Sequence, residues 1–247
     1  MLLRCIRAEN RKLHASPIWL VFLVVPAISC LYGTYNFLGN LGLLDFNWYN
    51  LWTQHTLFYT LFFFAPMVGV YAAYLWRLEH RGHNWNRIMA APVPPLDLFL
   101  AKFVAVAKLT LATQGWVFVL YLVCGKIWAK LPGWPPVEVA VWLLRGVVGS
   151  FAIIAFELLL AMVIRSFAVP VFCGLAGGVS GMLAASRGLG YVWPFALMQM
   201  GMNSNKSEDV LAGGLGAFLL ACTAWCAALF ALAWLLLRLR DVKSDTN

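Results

Sequence analysis

Three charged side chains stand inside otherwise apolar stretches of this sequence: Lys108, Arg145 and Glu157. A charge in such surroundings is costly, so it usually faces the protein interior or water and marks a path for ions or other polar groups. Arg145 and Glu157 are 12 residues apart, about 18 Å along a helix, so they cannot pair with each other. We interpret all three as candidates for the lining of a path or a gate. The alternative is a structural contact with another helix or a second copy of the chain, and Lys108 could also extend its amine toward the nearest polar surface.

The sequence Gly178-Val179-Ser180-Gly181 matches the Gly-x-Ser-Gly pattern of rhomboid intramembrane proteases. A serine nucleophile there needs a histidine base on a neighbouring helix. None of the four histidines lies in the third to sixth apolar stretches of the chain. They are His14, His55, His80 and His83. We therefore expect the glycines to serve close helix packing, where small side chains let two backbones approach.

The sequence contains no strong signal for a metal site or a nucleotide-binding site. His80 and His83 stand beside Glu79, but a His-x-x-His pair without further ligands is a weak zinc signal, and we expect a solvated loop there. The six cysteines are scattered and form neither a zinc spacing nor a disulfide framework. The chain contains no Gly-x-x-x-x-Gly-Lys-Ser/Thr sequence and therefore no P-loop for ATP. We expect no catalytic site, metal or cofactor in this chain.

The composition is that of a membrane protein. Hydrophobic residues make up 62% of the 247 residues and charged residues 11%, whereas soluble domains have about half apolar and about a quarter charged residues. This excludes a disordered chain, a coiled coil and an ordinary cytosolic enzyme. The net charge is +8, but the basic residues lie between the apolar runs, which indicates membrane orientation rather than nucleic-acid binding.

Six stretches are long enough for the roughly 20 apolar residues of a helix that crosses a bilayer. They cover residues 17–37, 51–76, 96–124, 137–164, 167–186 and 210–237. Residues 1–16 mix apolar side chains with four basic ones, which predicts an amphipathic helix at the membrane interface. The prediction is a single domain over residues 1–247, an all-α integral membrane fold with six transmembrane helices.

The basic residues also predict an orientation. Twelve of them flank the spans on the side of both termini, and four lie on the opposite side. The positive-inside rule therefore places both termini in the cytoplasm, and the even number of spans agrees with this.

The cytoplasmic gap between the second and third spans carries the most information. Its first half is polar, with Trp85, Ile88 and Met89 at roughly helical spacing, which predicts a short amphipathic helix at the membrane surface. Pro92-Val93-Pro94-Pro95 ends this helix, because proline cannot continue it. Pro95 is also suited to the first turn of the third span.

This loop resembles that of the permease subunits of type-2 ABC exporters, most closely the small six-span permeases of lantibiotic-immunity transporters. Those proteins have an acidic residue after span two, an Asn-x-Trp-like core, a turn containing Pro-Val, and a lysine in the next span. The matching residues are Glu79, Asn84-Trp85-Asn86, Ala91-Pro92-Val93 and Lys102. Length, span count and the long fifth gap match too, so the resemblance covers essentially the whole chain. The chain departs from the family at Pro94-Pro95, where Ser or Thr often follows the Pro-Val pair.

The resemblance implies that this loop is the coupling helix, which docks in a groove of a separate ATPase subunit and carries the motion of that subunit to the spans. The side chains expected to make this contact are Glu79, Arg81, Trp85, Arg87, Ile88 and Met89. ATP and Mg would be bound by the partner, a dimer of ABC ATPase subunits. A second copy of the permease or a related permease would complete the pore, surrounded by membrane lipid. An ordinary basic loop that only sets the topology is the alternative.

The leading hypothesis is therefore an ABC exporter permease of a bacterial cytoplasmic membrane that moves an amphipathic or hydrophobic compound out of the membrane. The resemblance favours a lantibiotic-like antimicrobial peptide. A type-2 ABC permease for another cargo, such as a drug, a lipid or a cell-wall precursor, is the second hypothesis. A membrane assembly factor or intramembrane enzyme is the third, and the lack of clustered His, Asp or Ser in the spans argues against the enzyme.

Overall fold

The computed structural model describes residues 1–14, 16–80, 93–211 and 213–239, and within these ranges it contains helices and no strand. The helices are α1 (Leu2–His14), α2 (Ile18–Gly39), α3 (Trp48–His80), α4 (Pro95–Trp128), α5 (Val137–Val163), α6 (Ala168–Ser186), α7 (Pro194–Gly201) and α8 (Gly214–Leu239). Six of them, α2 to α6 and α8, are long and apolar enough to cross a membrane. The predicted all-helical fold with six spanning helices is confirmed. The position of α1 at the membrane interface stays a prediction.

Local sequence explains where two of the long helices begin. The side chain of Asn47 accepts a hydrogen bond of 2.8 Å from the backbone N–H of Asn50, the usual way to cap a helix N-terminus. Pro95 occupies the first turn of α4, as predicted, because its missing N–H would have no helical partner there. Asp97 in the same turn places a negative charge at the positive end of the helix dipole.

The third helix is longer than the predicted span of residues 51–76. It has 33 residues and is therefore about 50 Å long, which exceeds the roughly 30 Å hydrocarbon core of a bilayer. One turn in its middle, Tyr59–Phe63, is π-helical. Pro66 lies three residues after this turn and cannot donate to the carbonyl four residues earlier, an irregularity that a wider turn accommodates. At least one end of α3 therefore extends beyond the apolar layer.

The centre of the bundle is formed by α3 and α5. In their most apolar segments 61% and 67% of the residues are buried, against 17% for α8. We call the end where α3 connects to α4 the loop end, and the opposite end, where α7 lies, the far end. The helix α1 packs against α4 at the loop end, and α7 packs against α5 and α6.

Glycines bring α3 and α6 into direct backbone contact. A Cβ atom at Gly174 would lie only 2.6 Å from the carbonyl oxygen of Ala65. Ser180 donates to the carbonyl of Gly177 at 3.1 Å and accepts a hydrogen bond from the indole of Trp193. The Gly-x-Ser-Gly sequence thus lies in a packing surface, in agreement with the packing interpretation.

Candidate functional site

Lys102 is fully buried at the loop end, and its amine is surrounded by acceptors. Its Nζ donates to Glu79 Oε1 at 2.9 Å, to Glu9 Oε2 at 3.0 Å and to the carbonyl oxygen of Leu75 at 3.1 Å. The same atom lies 4.9 Å from the centre of the Trp76 ring, a favourable cation–π distance. An ammonium group has three protons to donate, so each of them has an acceptor here.

Lys12 completes this cluster from α1. Its amine donates to Oε1 of Glu9 at 2.6 Å and to Oε1 of Glu79. Each lysine therefore contacts both glutamates, and the two positive and two negative charges cancel. Burial alone would lower the pKa of Lys12, but the carboxylates of Glu9 and Glu79 outweigh it and raise that pKa above the ordinary lysine value. We call Glu9, Lys12, Glu79 and Lys102 the charge cluster.

The charge cluster constrains geometry more than it adds stability. Glu9 is 1% exposed, Glu79 3% and Lys102 0%. A complete buried ion network contributes little compared with apolar residues of the same size, whereas removal of one member typically costs about 3–5 kcal/mol because a buried charge is left without its partner. A helix that carries one member therefore cannot shift alone without separating charges.

The charge cluster connects three helices that are distant in sequence. Glu9 and Lys12 belong to α1, Glu79 to the last turn of α3, and Lys102 to the beginning of α4. The buried residues of α1 are Glu9 and Leu13, which are four positions apart and share one helix face. The connection between α3 and α4 is residues 81–94, so α1 is tied to the helices at both ends of it.

Most of the predicted coupling helix falls on that connection. Five of the expected contact residues lie outside the described residues: Arg81, Trp85, Arg87, Ile88 and Met89. Their contact with an ATPase stays a prediction. Of the motif residues that are described, Glu79 and Lys102 form the ion pair given above. We expected Glu79 to offer its charge for docking, but its carboxylate points into the charge cluster, so any part in coupling would act through α1 and α4.

Sequence reasoning did not select Glu9 or Lys12. One signal was available, because Glu9 is the single acidic residue among the basic residues of positions 1–16. An amphipathic helix that lies only on a membrane surface has no need of an acidic residue on its buried face. The partner of Glu9 is 93 positions away in the chain, and no local pattern identifies it.

Glu157 lies in α5 with 0% exposure. Neither of its carboxylate oxygens has a hydrogen-bond partner in the part of the chain that the structure describes. Glu157 therefore lines no open path in this conformation. A role in a transport path stays a prediction, and it requires that the surrounding helices move apart.

Arg145 finds a partner within the same chain. One guanidinium nitrogen donates to both carboxylate oxygens of Asp209, at 2.9 Å and 3.0 Å. Burial alone would raise the pKa of Asp209, but Arg145, together with Trp142 and the backbone of Leu211, outweighs it and lowers that pKa below the ordinary value. Arg145 therefore does not require a partner on a second copy of the chain. The pair ties α5 to the segment between α7 and α8 at the far end.

Lys108 is exposed on the surface of α4. It forms no ion pair with any of the described residues. Its side chain is therefore accessible to a lipid headgroup or another chain at the bundle surface. The structure thus separates the three path candidates: Glu157 is inside the bundle, Arg145 is paired at the far end, and Lys108 faces outward.

A cleft of about 330 Å³ opens at the far end, between the end of α6 and the segment around α7. Its apolar lining includes Met182, Tyr191 and Met200, and its polar lining includes Asn203 and Lys206. This mixed lining suits an amphipathic molecule. All of its lining residues lie between positions 182 and 210, but the sequence did not identify the cleft, because it depends on how this stretch folds back on the end of α6.

Comparison with known proteins gives the family. Residues 5–181 match the model of the family described as ABC-2 family transporter protein, which is well over half of the chain and includes the whole charge cluster. No curated protein gives a significant match. The family provides the membrane component of ABC transporters and works with an ABC ATPase. With six apolar helices and this match, the chain is a multi-pass membrane protein that belongs to the ABC-2 family of transporter proteins and is the permease subunit of an ABC transporter.

Proposed function

We propose that this permease exports an amphipathic or hydrophobic compound, and that a lantibiotic-like antimicrobial peptide is its cargo. The energy comes from a separate ABC ATPase dimer, which binds ATP and Mg. Two permease units, either two copies of this chain or this chain and a related one, surround the path. The observation that supports this proposal most strongly is the charge cluster, which ties α1 to both ends of the α3–α4 connection.

The charge cluster explains how a small loop could move large helices. An ATPase subunit that pulls on residues 81–94 acts directly on the end of α3 and the beginning of α4. Because Lys102 contacts both Glu79 and Glu9, these two helix ends and α1 are expected to move together as one body. A rigid connection transmits force without loss into local bending.

The cargo proposal rests on the resemblance of the loop motif and on the lining of the far-end cleft. The cleft combines thioether and aromatic side chains with the amine of Lys206 and the amide of Asn203. An amphipathic peptide presents both kinds of surface. A hydrophobic drug, a lipid or a cell-wall precursor offers related surfaces, so the experiment must distinguish these classes.

Coupling is tested with Glu79→Ala combined with Trp85→Ala, in the permease purified together with its ATPase. We expect the protein to insert in the membrane but to lose its stimulation of ATP hydrolysis. A matched control replaces another Glu and Trp at the far end, Glu138→Ala with Trp134→Ala, since both side chains are exposed. Trp85→Ala alone separates docking from folding, because Trp85 is no member of the charge cluster. Normal co-purification and normal ATPase activity of the first variant would contradict the coupling assignment.

Cargo is tested by growth of a sensitive bacterial host that expresses the permease and its ATPase. The panel contains lantibiotic peptides, non-peptide amphipathic drugs and cell-wall inhibitors, and the Glu79→Ala, Trp85→Ala permease is the inactive control. We expect higher inhibitory concentrations for lantibiotics only. Protection against drugs alone would make the peptide cargo wrong, and an unchanged panel would remove the support for a role in immunity.

A further inference from the structure

Glu157 differs from the other buried acidic residues of the described chain. Glu9 and Glu79 are equally inaccessible, but each is paired with two lysines. Glu157 is fully buried and neither oxygen has a partner among the described residues. An ionised carboxylate without partners is very costly in such a place, and a carboxyl group there is expected to carry a proton instead. An ionisable residue inside a membrane bundle usually marks a functional site.

We propose that Glu157 is an intramembrane proton-binding site, which is occupied in the conformation described here and releases its proton when the helices around it separate. The second half rests on the proposed function, since the ABC ATPase would drive that separation. The first half depends only on this chain.

Glu157 belongs to none of the ion pairs formed among the described residues, and on α3 the carboxylate of Glu79 is held in the charge cluster. On α6, Cys173 is the titratable side chain that interacts electrostatically with Glu157. On α4, the amine of Lys102 is held in the charge cluster and Lys108 faces outward. The helix α7 has no titratable side chain, and Phe195 within it packs against Phe156, with ring centres 5.1 Å apart. On α8, Cys222 packs beside Ala152, farther toward the far end.

His80 offers a route from the loop end to this site. Its Nε2 lies 3.1 Å from the carbonyl oxygen of Ala161, one helical turn from Glu157 along α5. His80 is also the last residue of α3, directly before residues 81–94. Separation of α3 from α5 would draw His80 away from Ala161 and admit water toward Glu157. The proton would then leave on the side where the ATPase is proposed to dock.

The occupied state is tested by infrared spectroscopy of the purified full-length protein at neutral pH, in a detergent that has no carbonyl groups and so does not mask the carboxyl band. A protonated carboxyl group has a carbonyl band that is separate from the bands of carboxylates. We expect this band in the wild-type protein and its loss in Glu157→Gln, a substitution of nearly equal size. Glu138→Gln is the control, because Glu138 is an exposed residue of the same helix, and the band should persist in it. A wild-type protein without the band, or Glu157→Gln with it, would overturn the proton site.

A second measurement uses the wild-type protein alone, so its result does not depend on whether Glu157→Gln folds. The wild-type band should persist when the pH is raised well above the ordinary carboxyl range, because the site is closed to water. Its disappearance in the still folded protein at mildly alkaline pH would also overturn the proposal.

Release is tested on the complex of the permease with its ATPase, trapped with a nucleotide that holds the ATPase subunits closed. We expect the band to be lost in the trapped complex and to return after the nucleotide is removed. A band that persists in the trapped complex would overturn the release step. If no ABC ATPase binds the chain, the proposed function and the release step fail together, while the resting spectrum still decides whether Glu157 holds a proton.

Discussion

Two lysines of α4 show how the position of a residue on its helix decides its role. Lys102 and Lys108 are six residues apart, which places them about 120° apart around the helix axis. Lys102 therefore points into the bundle and meets two carboxylates, whereas Lys108 points outward. Glu157 is a third case, because it points inward but meets no partner in the described residues.

The difference between the two lysines gives a prediction for Lys102→Met, which keeps most of the length of the side chain and removes its charge. The two glutamates then share only Lys12, which is partly exposed, so we expect a loss of about 3–5 kcal/mol in the free energy of unfolding. Lys108→Met is the matched control and should change this free energy by less than about 0.5 kcal/mol. Thermal unfolding of both variants in the same detergent measures the difference. Equal stabilities would mean that the charge cluster does not hold the loop end together.

Close backbone contact is the feature that matters at the scale of helices. In α6, Gly174 faces the carbonyl of Ala65 in α3, and a carbonyl oxygen cannot rotate away as a flexible side chain can. Because α3 also carries Glu79 at its end, the packing of α6 on α3 helps to fix the charge cluster. The exposed face of α4 is different, since a Cβ at Gly115 would meet nothing within 4 Å.

These two glycines make a paired test of helix packing. Gly174→Ala forces α3 and α6 apart, and we expect a cost of about 1–3 kcal/mol together with a lower yield of folded protein. Gly115→Ala adds the same methyl group in open space and should be neutral or slightly stabilising, because alanine favours a helix more than glycine does. The measurement is the midpoint of thermal unfolding. A neutral Gly174→Ala would show that α6 is free to shift on α3.

The whole molecule is an all-helical bundle whose outer helices are poorly covered by its own chain. In the most apolar segment of α8 only 17% of the residues are buried, and in that of α6 only 28%. Lipid can cover these faces, and so can the second permease unit that the proposed function requires. The basic residues concentrate at the loop end, which is the side expected to face the cytoplasm.

The expected orientation gives a prediction for the intact chain in a bacterial membrane. A fluorescent protein that folds only in the cytoplasm is fused to the N-terminus, to the C-terminus, or into the far-end turn after Lys130. We expect fluorescence from both terminal fusions and none from the third, because twelve basic residues flank the spans on one side and four on the other. If only the far-end fusion is fluorescent, the orientation is the opposite of the predicted one and the α3–α4 connection lies outside the cell.

Much of the fold was predictable because crossing a membrane imposes a local requirement. About 20 apolar residues in a row predict a spanning helix wherever they occur, and the six spanning helices follow from that. Boundaries were less accurate at α3, which continues through the polar residues after position 76 as far as His80. A hydropathy pattern marks the edge of the apolar layer and not the end of the helix.

The candidate site was predictable only in part. Glu79 and Lys102 were selected by their place in the loop motif, but their contact with each other, and with Glu9 and Lys12, was not. Arg145 was expected to need a partner, and its partner Asp209 is 64 positions away. Such pairs depend on how helices rotate and pack, which single-sequence patterns do not contain.

The sequence by itself therefore determined the membrane class, the number of spans and the resemblance of the α3–α4 connection, because these properties arise from residues that are neighbours in the chain. Only the tertiary structure decided which charges meet. It placed Lys102 between Glu9 and Glu79, paired Arg145 with Asp209, and left Glu157 enclosed without a partner among the described residues. The physical reason is that a buried charge is stabilised by whatever lies across the helix interface, and that neighbour is set by packing rather than by sequence distance.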